Sequence, residues 1–322
     1  MGTIKKFLSD PSFRLYDLSI CFKLINMTGF PRRKLIHLDY RRAFGRRYIK
    51  TLTPYQFPEH PANAYNGLES EDRYPTPSIA FLGGGQMGGA MIASHIAAYP
   101  EDSVHLVEKD AERLASFSAM HNVIASPSPH RALHEAGTII IAVKPQTYPV
   151  LAEEIAPLLH SGQVVISIMA GITVNEIAES IDHPRVIRAM PNIPAHIGKG
   201  VTVYYPSPSI THNEWRRAER ALVACGACIP VCDENDIDKA TAISGSGPAY
   251  GFYLAEQMCK EACELGFNEE EARELVHLTL KGSLELWEAG SDRVEDLRRK
   301  VTSPGGTTEA AIDYFEDAQV GI

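Results

Sequence analysis

From Ser78 onward the chain alternates short, wholly apolar runs with longer stretches in which apolar residues recur every three or four positions. The runs are "SIAFL", "SVHLV", "TIIIAV" and "QVVISIM", and the stretches between them are "QMGGAMIASHIAAYP", "AERLASFSAM" and "YPVLAEEIAPLL". Strands without polar alternation are buried on both faces, and helices of roughly 10 to 15 residues between them predict a parallel sheet covered on both sides. No run approaches the roughly eighteen apolar residues of a membrane span, so the chain reads as soluble, with no membrane partner. From about Asp236 the strand pattern stops and helical spacing takes over. Asn268 caps one helix, with three acids behind it; Ser291 and Asp292 offer another start, and a last helix begins near Thr307 or Thr308. The pattern predicts an α/β protein: a doubly wound sheet over 78–233, then an all-helical domain over 234–322.

Charge divides the chain differently. Twelve Lys and Arg against three Asp precede residue 58, a surplus of +9, which leaves −18 for the remainder of a chain whose net charge is −9. So acidic a body excludes nucleic acid held through phosphate contacts. The basic arm and the Pro-rich linker "PEHPANAYNGLESEDRYPTP" make 1–77 a segment expected to lack fixed structure. Several readings of the arm stay open: organelle targeting, a membrane-surface or nucleic-acid patch, or translated upstream sequence. A cytoplasmic location is expected, or import into an organelle if the arm is a targeting peptide.

Two clusters invite a metal reading, and neither supports it well. Cys225, Cys228 and Cys232 lack a fourth ligand or a second Cys-x-x-Cys, so small thiols on a strand are the better reading. His130 and His134 are spaced four apart, but no Glu follows the first, which leaves a solvated helix. No metal is expected.

The chemistry-bearing motif is "FLGGGQMGGA", which sets Gly83, Gly85 and Gly88 as a G-x-G-x-x-G directly after the first strand and opening a helix. Gly83 allows the tight turn, Gly85 lets backbone approach a pyrophosphate, and Gly88 brings helix against sheet. A second strand ends at Glu108, some twenty residues on, as the dinucleotide-binding unit of a Rossmann-type sheet requires. Glu108 can accept from an adenosine ribose, as NADH wants; Lys109 can instead pair with the 2′-phosphate of NADPH. Both readings stand. Lys144, in "AVKPQ", leaves the carboxyl end of a later strand, where the sheet faces its cofactor, and Gly171, Pro191 and Asn192 are loop residues of the same layer. "ISGSGPAY" interrupts a helical stretch, so either a helix starts at Pro248 or backbone packs tightly there. Finally, "VTSPGGTTEAA" reads either as a helix stop and restart with a Thr cap, or as an anion site built on the free N–H groups of a helix start.

Taken together, "FLGGGQMGGA", "AVKPQ", "RAMPNIP", "DKATAISGSGPAY" and "VTSPGGTTEAA", in this order, resemble the pyrroline-5-carboxylate reductases over about residues 78 to 318. The resemblance implies hydride transfer from NADPH or NADH to the C=N carbon of 1-pyrroline-5-carboxylate, giving L-proline. It implies a Rossmann domain followed by a helical domain through which subunits form a homodimer or a larger dimer-based assembly. It places Gly83, Gly85, Gln86, Met87, Gly88, Glu108, Lys109, Ala142, Val143, Lys144, Pro145, Ala170 and Gly171 at the cofactor. Ser303, Gly305, Gly306 and Thr307 would grip the substrate carboxylate and Thr308 the ring nitrogen, making Thr308 and Lys144 the catalytic candidates. The family normally runs through one further helix that packs the dimer, so a weakened dimer is expected of a chain ending at Ile322. Hydroxyacid and 6-phosphogluconate dehydrogenases share the sheet-plus-helices plan but give no reason for the Ser-Pro-Gly-Gly-Thr-Thr loop. A nucleotide-binding module without turnover is the remaining alternative.

Overall fold

Four-residue runs such as Val104–Val107 and Val164–Ser167 are buried at every position, which is what a strand covered on both faces requires. The computed structural model describes residues 78–318; the arm, the linker and the last four residues lie outside them. The strands are β1 (Ser78–Leu82), β2 (Val104–Val107), β3 (Val123–Ser126), β4 (Ala136–Ile141), β5 (Val164–Ser167), β6 (Val186–Met190), β7 (Gly200–Pro206) and β8 (Gly226–Pro230). They form one sheet in the order β3-β2-β1-β4-β5-β6-β7-β8. The first six are parallel; β7 runs antiparallel to β6, and β8 is parallel to β7. The order 3-2-1-4-5-6 is that of the Rossmann sheet, with its topological switch between β1 and β4.

Helices α1 (Gln86–Ala98), α2 (Ala111–Ser118), α3 (His130–Glu135), α4 (Tyr148–Ile155), α5 (Val174–Ser180) and α6 (His212–Val223) connect the strands. Two apolar layers result. One holds Phe81, Met91, Leu106 and Ile166, the other Leu82, Leu133, Ile139 and Ile155, each fully or almost fully buried. The alternate residues of β1 thus feed opposite layers, as the period of two dictates. Strand β8 carries Cys228, and Cys225 lies just before it in the core, so burial pushes both thiols up to about 12. Both thus pack as small apolar side chains.

The described residues fall into two compact units, one closing at Phe252 and the other opening at Tyr253. Contacts place α7 (Asn235–Ala240), a π-helical turn (Thr241–Gly245) and the start of α8 (Gly247–Glu264) with the sheet unit, an attachment that begins just beyond Asp233. Its physical reason is Arg188 of β6, 2% exposed, whose guanidinium ion-pairs with Glu234 and Asp238 and binds α7 to the sheet. Asn192 adds a second tie: its amide donates to the Ser244 carbonyl (2.9 Å) while its oxygen accepts from the Val201 N–H (2.8 Å). As the helix-start reading of "ISGSGPAY" expects, α8 begins at Gly247 with Pro248 in its first turn.

The second unit is helical, with the rest of α8, then α9 (Glu269–Ala289), α10 (Val294–Lys300) and α11 (Thr307–Asp317). Asn268 caps α9 in a full capping box with Glu271. Ser291 and Asp292 do not cap α10. Arg293 takes that place without a side-chain bond, and Asp292 pairs with Lys300 instead.

Candidate functional site

The chain leaves β1 at Leu82 and turns at Gly83, whose φ of +108° lies where L side chains are strained. The turn is pinned on both sides: the Gly83 N–H donates to the Val107 carbonyl and the Ala142 N–H to that of Leu82, each at 2.9 Å. A methyl on Gly83 would stand 2.8 Å from the Ala142 oxygen; one on Gly88 would stand 2.3 Å from the Gly83 oxygen. Gly88 is therefore the packing glycine, letting the first turn of α1 lie directly on the strand end. Gly85 is different. No atom lies within 4 Å of where its side chain would be, so the backbone faces open space. It is the N-cap of α1, whose first turn holds no acidic residue, so the helix's unpaired N–H groups and positive dipole end are not neutralised from within. An open glycine at such a helix start fits a pyrophosphate.

The other cofactor candidates gather at the same carboxyl ends. Gln86 is exposed and Met87 half-buried in the first turn of α1. Ala142, Val143, Lys144 and Pro145 follow β4, with Val143 against the Gly83 turn. Ala170 and Gly171 are exposed in the loop between β5 and α5. Lys144 is exposed, and its ammonium has no ion pair or hydrogen bond among the described residues; its carbonyl accepts from Thr147.

Glu108 has less freedom than its position suggests. Only 7% exposed, its carboxylate accepts from the Gly84 N–H (2.9 Å), the Asp110 N–H (2.8 Å) and two nitrogens of Arg113 (3.0 and 3.1 Å). Burial opposes ionisation, yet the Arg113 guanidinium and the two backbone N–H groups outweigh it and lower its pKa to about 2. Lys109, 63% exposed, is drawn to Glu154 of α4 at 2.7 Å. Both candidates at the end of β2 thus have partners within the chain. Arg113, in the first turn of α2, is not singled out by pattern, because nothing in "DAERL" separates it from an ordinary helix-surface arginine.

In the helical unit, the 303–308 loop turns at Gly305, with φ of +70°, and the Gly306 N–H closes on the Ser303 carbonyl at 2.9 Å. Helix α11 starts at Thr307 with Gly306 as N-cap and no side-chain cap, so the Thr-cap reading does not hold. Instead the Glu309 carboxylate accepts from the Gly305 N–H at 2.7 Å. The loop already binds a carboxylate, its own. Thr307 and Thr308 occupy the first turn of α11, half-buried, beside Gly306.

His130 and His134 are both exposed on α3, as a solvated helix requires. Among the described residues, no group of three or more His, Cys, Asp or Glu is placed to hold a metal ion, and no helix is long and apolar enough to cross a membrane.

Two family models match the chain, one over each part. The family model described as pyrroline-5-carboxylate reductase dimerisation matches residues 234–321, and that described as NADP oxidoreductase coenzyme F420-dependent matches residues 78–171. The pyrroline-5-carboxylate reductase of Pseudomonas aeruginosa is 34% identical over 243 residues, covering 75% of this chain and 89% of the relative. The structure resembles that of a pyrroline-5-carboxylate reductase from Coxiella burnetii, 31% identical, with a TM-score of 0.69 over 76% of this chain and 92% of the other. It also resembles the Plasmodium falciparum pyrroline carboxylate reductase with NADP bound, 26% identical, with a TM-score of 0.68 over 76% and 91% of the two chains. The chain belongs to the pyrroline-5-carboxylate reductase family.

Proposed function

We propose that this NAD(P)H-dependent oxidoreductase reduces the C=N bond of 1-pyrroline-5-carboxylate to give L-proline, the last step of proline synthesis. The observation that carries the nucleotide half is the open Gly85 at an unneutralised helix start on the switch point of a Rossmann-ordered sheet. The carboxylate half is supported by the Gly305 N–H, which already holds the Glu309 carboxylate. When bound, a nicotinamide cofactor would supply the hydride that the imine carbon accepts.

What the protein adds is binding and orientation. In this reading the N–H groups of Gly85 and of the first turn of α1, Gln86 to Gly88, hold the pyrophosphate, with Ala142 to Pro145 and Ala170 to Gly171 lining the nicotinamide side. The loop of Ser303, Gly305, Gly306 and Thr307 takes the substrate carboxylate in place of Glu309. Charge-assisted hydrogen bonds of this kind contribute about 1.5–3 kcal/mol each, and the helix start adds roughly 0.3–1. Fixing one imine face toward the hydride donor converts binding into rate. The imine nitrogen ends with one more proton, and a protonated imine is the better hydride acceptor. A threonine hydroxyl holds its proton too tightly to be the acid near neutrality, so Thr308 orients the nitrogen and relays a proton from water. Lys144, exposed and with no ion pair on its ammonium among the described residues, stands as a second catalytic candidate from the cofactor side.

The assembly in this reading is a homodimer or a larger dimer-based oligomer, supported by the matched dimerisation model and by exposed Leu275, Leu278 and Leu286 along α9. The test is turnover by the purified chain: consumption of NADPH or NADH that depends on 1-pyrroline-5-carboxylate and matches the proline formed. Cofactor binding without proline would leave a nucleotide-binding module and overturn the reading.

A further inference from the structure

Three charged side chains stand where an adenosine ribose meets the end of β2, and two are already engaged. A carboxylate offers about four acceptor positions, and Glu108 has four donors on it: Gly84, Asp110 and two nitrogens of Arg113. It has nothing left with which to accept from the ribose hydroxyls of NADH unless Arg113 lets go. Lys109 is turned to Glu154. Arg113 is anchored yet accessible: its own N–H donates to Asp110 at the α2 N-cap (2.9 Å), its Nε and Nη2 fork onto Glu108, and the side chain is 50% exposed. Its Nη1 keeps only a long ion pair with Asp110 at 3.7 Å, too far for a hydrogen bond, so among the described residues no acceptor holds those N–H groups.

From this arrangement we infer that Arg113 selects the cofactor: its fork withdraws Glu108 from the ribose hydroxyls and presents its outer N–H groups to the 2′-phosphate of NADPH. The assignment rests on the cofactor reading above. A planar guanidinium suits a phosphate, and here it also neutralises a carboxylate that would otherwise repel a 2′-phosphate. Glu108 thereby acts as a positioning residue, holding both Arg113 and the Gly84 N–H of the glycine turn. NADPH is the preferred cofactor under this assignment.

Calorimetric titration of the full chain with NADPH and with NADH tests it, using the unaltered protein, Arg113→Ala and Arg113→Lys, with thermal melts to show that each is folded. The unaltered protein should bind NADPH more tightly. Arg113→Ala should shift the ratio of the two dissociation constants toward NADH by about tenfold or more, equivalent to ~1.4 kcal/mol. Arg113→Lys, which keeps the charge but not the fork, should fall between. A merely structural arginine would weaken both cofactors together, so an unchanged ratio overturns the assignment while leaving the cofactor reading intact. If neither cofactor binds the unaltered protein, the cofactor reading itself falls, and the assignment with it.

Discussion

The same substitution made three residues apart should have opposite effects in this protein. At Gly88 an alanine methyl would sit 2.3 Å from the Gly83 carbonyl oxygen and 3.1 Å from the Ala142 side chain, and the oxygen is backbone that cannot step aside. Helix α1 must then lift from the strand end. Overpacking of this kind costs about 1–3 kcal/mol, which lowers the melting temperature by roughly 2–4 °C per kcal/mol in a chain of 150 residues or more. At Gly85 nothing lies within 4 Å and the backbone, at φ −66°, is open to any residue. Losing a glycine N-cap and gaining from a less flexible unfolded chain are opposed effects, each of a few tenths to about 1 kcal/mol, so Gly85→Ala should melt within a few degrees of the unaltered protein. Its methyl, however, occupies the space a pyrophosphate would approach, and NADPH affinity should fall by about tenfold or more, ~1.4 kcal/mol. Thermal melts with and without NADPH, and titrations of both variants, read out the two effects separately. The reasoning is refuted if Gly85→Ala binds NADPH normally, or if Gly88→Ala melts as the unaltered protein does.

Thr308→Ala should lower kcat/KM for 1-pyrroline-5-carboxylate by an order of magnitude, ~1.4 kcal/mol, while NADPH titrates unchanged; equal turnover would remove its role at the imine nitrogen. Stability should fall on the acid side. His95, His105 and His183 are buried, and burial lowers all three below 6.5, so the unfolded chain takes up protons first and stability drops as pH falls through 6.5. Glu108, lowered to about 2, stays ionised in that window and its contribution is lost only below about 4.5. Melts at about pH 8 and about pH 5.5 check this, and a melting temperature equal or higher at the acid end contradicts it. Leu278→Glu with Leu286→Glu places charge on exposed positions of α9, so the variant should fold but run as a monomer in light scattering, where the unaltered chain runs as a dimer or larger. Persistence of the dimer would move the interface elsewhere.

Where packing obeys a short-range rule, the sequence is easily read. The apolar runs that became β1, β2, β4 and β5 carry no polar alternation, and G-x-G-x-x-G set the turn after β1. Less could be read beyond β6. That β7 reverses direction and β8 follows it depends on pairing between residues far apart, and β8 alternates between half-buried and exposed, which weakens its signal. The same holds for Arg188: an arginine inside the apolar run "VIRAM" is a mark of something, but its acidic partners lie some fifty residues on. At the candidate site Gly83 and Gly88 were legible because each answers a local steric need, a positive φ at the first and close packing at the second. The occupancy of Glu108 by Arg113 and Gly84, and of Gly305 by Glu309, was not, because hydrogen-bond partners follow from side-chain direction and not from residue type. The Thr cap failed because α11 starts one residue early, with Gly306 as N-cap and Thr307 already helical.

The central claim is that hydride passes from a bound nicotinamide to the imine carbon of 1-pyrroline-5-carboxylate. Its most direct test is turnover with NADPH carrying deuterium at the transferable C4 position, followed by mass analysis of the product. The account predicts L-proline carrying a single deuterium at C5, on the carbon that was doubly bonded to nitrogen. Unlabelled proline, or bound cofactor that is never consumed, would contradict it.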